Sequence, residues 1–140
     1  MPRLAAIALT ALLALTGCDE KPPLAADRKA AISLTLTDFS YALRKGRHTY
    51  THRRVFRETG GVGVTIVRGK VCVGNGAECS DALVNYRIEA SQSLVQKRHF
   101  VATPKAKDRI TLHYCAKDDA GNEFEFEKSL RTDGETVIVE

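Results

Sequence analysis

The sequence predicts an all-β chain folded as an antiparallel sandwich of about seven to eight strands. Apolar and polar residues alternate with a period of two from Ala31 onward. Val, Ile, Thr, Tyr and Phe recur between clusters of Gly, Asn and Asp. No segment carries an amphipathic helix long enough to stand on propensity.

Strands are expected near residues 31–43, 47–58, 62–73, 79–90, 98–103, 109–117, 123–131 and 135–140. Asp27 to Ala31 and Ser91 to Gln96 read as short helical turns. In "CVGNGAEC" a four-residue loop from Gly74 to Ala77 sets Val73 opposite Glu78 and Cys72 opposite Cys79, at a Cβ separation that a disulfide spans. The run "DRITLHYCAKDDAGNEFEFEKSLRT" is the clearest hairpin. Ile110, Leu112, Tyr114 and Ala116 share one face of its first strand; Phe124, Phe126 and Leu130 share one face of the second. Matching the two dry faces requires paired residue numbers with an even sum, and a turn centred on Ala120 pairs Tyr114 with Phe126, Cys115 with Glu125 and His113 with Glu127. Cys115 then points to the wetter side.

The segment "ITLHYCAKDDAGNEFEFEKSL", with "ALVNYRIEA" upstream, resembles the closing strands of bacterial immunoglobulin-like and fibronectin-like sandwich domains. The chain has no tryptophan, so the buried Trp of antibody-type domains is missing. The resemblance implies an immunoglobulin-like sandwich and a role in adhesion, assembly or recognition, and transfers no activity. It also offers a second pairing, Cys72 with Cys115 across two sheets. The outward parity of Cys115 favours the hairpin pair Cys72–Cys79 instead, leaving Cys115 as a structural, partly shielded thiol or a partner for another chain.

The N-terminus carries a different signal. Met1-Pro2-Arg3 precedes an apolar run from Leu4 to Leu15, shorter than the ~20 residues of a spanning helix, and Leu15-Thr16-Gly17-Cys18 ends it. These four residues resemble the lipobox of bacterial lipoproteins, in which the cysteine is acylated and the leader is cut just before it. The resemblance implies a signal peptide over 1–17, lipidation at Cys18, a tether over 18–30 and a sandwich over 31–140. Palmitate-type acylation places the domain in the cell envelope, facing the periplasm; Asp19 resembles an inner-membrane retention signal. Cleavage leaves 123 residues with 20 cationic and 17 anionic side chains, an excess too small to argue for nucleic acid. An oxidising compartment is also where cysteines pair.

Candidate chemistry is sparse. His48 and His52 share a strand face about 13 Å apart, too far to hold one ion, and read as surface histidines. Asp118, Asp119, Asn122 and Glu123 surround Gly121 with oxygens, but turns require the same residues, so no metal is assigned. No nucleophile elbow, phosphate loop or supported Cys/His pair occurs, and neither catalysis nor a cofactor is expected. The most informative cluster is cationic: Arg44, Lys45, Arg47, Arg53, Arg54 and Arg57 within 14 residues. Lysine and arginine discourage edge pairing, and they also make a contact surface for an acidic partner.

The expectation is therefore a membrane-anchored envelope lipoprotein that binds or assembles rather than catalyses. Its alternative is a periplasmic inhibitor or immunity protein that blocks an envelope-active hydrolase with a rigid loop, the "VGNGAE" tip being the first candidate.

Overall fold

In a computed structural model that describes residues 27–140, the chain is all-β, with eight strands in two antiparallel sheets. The strands are β1 (Ile32–Arg44), β2 (Arg47–Glu58), β3 (Val64–Val73), β4 (Glu78–Ile88), β5 (Ser93–Thr103), β6 (Lys107–Asp118), β7 (Glu123–Asp133) and β8 (Thr136–Val139). One sheet is ordered β1-β2-β5 and the other β4-β3-β6-β7-β8. Cys18, the expected signal peptide over 1–17 and most of the expected 18–30 tether lie outside the described residues.

Short turns set the local registers. Lys45 and Gly46 both take positive φ (49° and 76°), the two-residue geometry whose twist suits a hairpin, and Arg44 pairs with Arg47. Gly74, Asn75 and Gly76 close the β3–β4 tip in the same left-handed region, setting Val73 opposite Glu78 and Cys72 opposite Cys79 as expected. The β6–β7 register is also the expected one: Tyr114 faces Phe126, Cys115 faces Glu125 and His113 faces Glu127.

The two inner faces interdigitate around Phe56, Ile66, Ile110, Leu112, Tyr114 and Leu130. Phe56 meets Tyr114 edge-on at 5.2 Å between centroids, and Tyr114 stacks on Phe126 at 5.2 Å, so one aromatic column joins β2 to β6 and β7.

Three connections cross between the sheets, after β2, β4 and β5, and carboxylates hold the ends of all three. Glu58, at the end of β2, accepts from the backbone N–H groups of Ala31 (3.1 Å), Gly60 (2.6 Å), Gly61 (2.9 Å) and Ser91 (2.8 Å). Asp108 accepts from Gly74 N (2.8 Å), Asn75 N (3.0 Å), Arg109 N (2.8 Å) and Thr103 Oγ1 (2.6 Å). Asp118 takes Ala30 N (3.0 Å) and Asn122 N (2.8 Å). Gly60 packs so tightly on the backbone of Lys29 to Ala31 that a Cβ there would overlap it.

Two segments depart from expectation: beyond Asp27, residues 28–31 lead into β1 without helical structure. Residues 91–96 are not a helical turn: β5 begins at Ser93 and pairs with β2 from Arg57 to His48. A bulge between the His52–His99 and Arg54–Gln96 pairs shifts the register by one residue, masking the alternation in "QKRH".

Candidate functional site

The cationic cluster divides between two faces of β2. Tyr50, His52, Arg54, Phe56 and Glu58 point between the sheets and are buried; Arg53 and Arg57 point outward. Arg54, only 3% exposed, is therefore not part of a surface patch. The even-numbered run from Tyr50 to Phe56 carried the signal: two aromatics bracket His52 and Arg54 on one face. His52 is likewise buried, correcting its reading as a surface histidine, although it does share a face with His48. His48 is half-buried, its Nδ1 2.9 Å from the Tyr41 hydroxyl.

On the outer face, β5 completes the patch from a distant part of the sequence. Lys97 and Arg98, both exposed, occupy the bulge beside Arg53, whose other neighbour is Thr37 of β1. Arg57 lies between Ser33 and Ser93. Phe100, opposite Thr51, is 65% exposed among these cations. Arg44 and Lys45 stand exposed at the β1–β2 turn. Arg47 is tied down: its guanidinium donates to Glu78 (2.8 Å) and to the Ala102 carbonyl (3.1 Å), which partly neutralises it. The two acidic residues of these strands are Glu58, turned inward, and Asp38, exposed on the β1 bulge. The outer face is thus basic with one aromatic at its centre.

On the inner side, Arg54 donates through Nε to Gln96 Oε1, through Nη1 to the Tyr114 hydroxyl (2.7 Å) and through Nη2 to the Tyr86 hydroxyl (3.2 Å). It lies over Phe56, Tyr86 and Tyr114 at 5.3, 5.4 and 5.7 Å from the ring centroids. Burial raises the Tyr114 phenol above its ordinary pKa, and the Arg54 charge opposes that rise. His99 meets His52 edge-on at 5.3 Å. Burial, then Arg54 and then His52, push the His99 pKa down to about 4; burial also lowers that of His52.

Cys72 and Cys79 are bonded, with Cα atoms 4.1 Å apart. By loop-closure entropy an eight-residue ring contributes about 2 kcal/mol. Cys72→Ser/Cys79→Ser is expected to lower stability by that amount in urea titration, and an unchanged midpoint would show that the β3–β4 turn suffices alone. Cys115 is a free, half-buried thiol whose Sγ lies 3.7 Å from Glu125 Oε1; burial and that carboxylate both raise its pKa. Asp118 uses its oxygens on the N–H groups of Asn122 in its own turn, as turn chemistry requires, and on Ala30 N from the segment before β1. Asp119 forms an ion pair with Arg87 at 2.6 Å.

Comparison with known proteins extends the fold alone. No protein-family model and no curated protein sequence matches the chain. In shape it is similar to a crystal structure of a protein from Bordetella pertussis designated ApaA, with a TM-score of 0.57, 12% identity, and coverage of 76% of this chain and 94% of that one. It is also similar to the X-ray structure of the structural-genomics target SoR45, with a TM-score of 0.50, 9% identity, and coverage of 76% and 86%. At these identities the likeness concerns the β-sandwich only.

Proposed function

We propose that this chain is a lipid-anchored lipoprotein of a bacterial envelope, and that its sandwich is a non-catalytic binding module. It docks an acidic envelope protein on the outer face of β1-β2-β5. The observation that carries the docking surface is the convergence of Arg53 and Arg57 with Lys97 and Arg98, around an exposed Phe100, on a face with one exposed carboxylate. A cationic rim steers an acidic partner, and an aromatic centre supplies apolar contact once water is excluded. The anchor rests on Leu15-Thr16-Gly17-Cys18.

The triple variant Arg53→Ser/Arg57→Ser/Arg98→Ser tests the surface while leaving buried Arg54 untouched. Its melting temperature is expected to stay within a few degrees of the parent, because exposed substitutions cost little. Crosslinking of the native lipoprotein in cells should lose its main protein adduct. An adduct of undiminished yield would reject the face. Loss of binding to anionic vesicles, with protein adducts intact, would assign the charges to lipid and reject the protein partner. Mass spectrometry of the purified product tests the anchor: an unacylated Cys18 would remove it.

The inhibitor reading keeps one specific support. The β3–β4 tip is held rigid by the Cys72–Cys79 bond and by Asp108, which binds the amides of Gly74 and Asn75. A preorganised loop is what blocking an enzyme cleft requires. Inhibition of an envelope hydrolase that disappears on replacing Asn75 would favour this reading over assembly.

A further inference from the structure

Arg54 sits in an unusual setting for a buried charge. Among the described residues no carboxylate forms an ion pair with it, and its side chain faces a cleft of about 410 Å³ between β4 of one sheet and β5 of the other. An uncompensated buried cation is costly, and aromatic faces offset only part of that cost. Its three hydrogen bonds use one N–H on each nitrogen, so Nη1 and Nη2 each keep a second N–H. The Tyr86 and Tyr114 hydroxyls accept from the guanidinium, leaving their own O–H groups to donate. His99 also lines the cleft, and its buried Nδ1 has no hydrogen-bond partner. Val73, Val84 and Val101 form apolar walls.

This arrangement combines positive charge and convergent donors with valine walls, and the exposed part of the lining carries Lys70, Asp81 and the Arg47–Glu78 ion pair. A volume of about 410 Å³ falls at the lower end of small-molecule sites, room for a ligand of about ten heavy atoms. We propose that the cleft between β4 and β5 binds a small carboxylate with an apolar body, its carboxylate received by Arg54, Tyr86 and Tyr114. A guanidinium and two phenols suit a planar oxyanion, and the valines select against a fully polar one. The receiving groups Arg54, Tyr86 and Tyr114 lie on the inner side of the sheets, and Phe100 borders both the cleft and the outer face of β1-β2-β5.

The probe is radiolabelled phenylacetate in equilibrium dialysis against the purified full-length protein, with phenylacetamide and inorganic phosphate as competitors. Tyrosine emission provides a second readout: the chain has no tryptophan, and two of its four tyrosines line the cleft. Saturable binding is expected below about 1 mM, with phenylacetamide at least about tenfold weaker because it leaves the charge uncompensated. Arg54→Lys should weaken binding, since it removes the planar fork. Val84→Trp fills the cleft from its half-buried rim without touching Arg54, so it should abolish binding and leave the melting temperature nearly unchanged. That variant keeps the test meaningful should Arg54→Lys fail to fold. No saturable binding up to about 10 mM, equal competition by the amide, or full binding by Val84→Trp would overturn the proposal. Displacement by phosphate at lower concentration than by unlabelled phenylacetate would do the same.

Discussion

Replacing Glu58 with alanine is expected to lower the unfolding free energy by about 3–5 kcal/mol. Glu58 is 1% exposed, and its carboxylate gathers four backbone N–H groups from three separate segments: the entry to β1, the β2–β3 crossing and the β4–β5 crossing. Its pKa is lowered overall: burial raises it, and the four N–H donors together outweigh that. Alanine strands these donors around a cavity, where each unmet group costs about 1–3 kcal/mol less whatever water recovers. Urea titration with an unchanged m-value reads the loss directly. Glu58→Gln should fall between the two, because one amide oxygen can still accept. A loss under about 1 kcal/mol for the alanine variant would mean that the crossings are held by their own backbone contacts instead.

Acid should destabilise the fold in two stages. His99 is held neutral, with its pKa pushed to about 4 chiefly by burial, whereas in the unfolded chain it takes its ordinary value near 6.5. Between those values the unfolded state binds more protons, so stability rises with pH, is complete above about 6.5 and is lost as pH falls toward about 4. After allowance for the partly solvated ring, this stage amounts to on the order of 1–2 kcal/mol. His52, also lowered chiefly by burial, acts in the same direction. The second stage begins below the ordinary carboxylate range. Glu58, Asp108 and Asp118 all have lowered pKa values because their N–H and O–H donors outweigh burial, so their stabilisation is present above the unfolded values and disappears as they protonate. Melting temperatures measured from pH 7.5 to 3 should fall in both regions. His99→Phe should reduce the upper slope to the share His52 contributes and leave the lower region unchanged; an upper slope undiminished in this variant would reject the assignment to His99.

The β6–β7 and β3–β4 registers were legible in the sequence for a physical reason. A short turn links two strands so closely that parity and turn chemistry leave one pairing, and Tyr114–Phe126 and Cys72–Cys79 follow from it. The start of β5 was not legible, because the bulge at Lys97–Arg98 breaks the alternation that marks a strand. The burial of Arg54 and His52 is hidden for another reason: alternation tells which residues share a face but not which face is buried, and six cations within 14 residues look solvated.

By itself, then, the sequence determined the all-β class, the hairpins, the Cys72–Cys79 bond and the approximate place of seven of the eight strands, since all of these depend on neighbours along the chain. Only the tertiary structure decided that β5 joins β2 rather than β4, bringing Lys97 and Arg98 to Arg53, and that β4 and β6 bring Tyr86 and Tyr114 to the Arg54 guanidinium. Those meetings join residues 32 to 60 positions apart. Contacts at that separation follow from how two sheets stack and from which faces exclude water, and no local pattern encodes either.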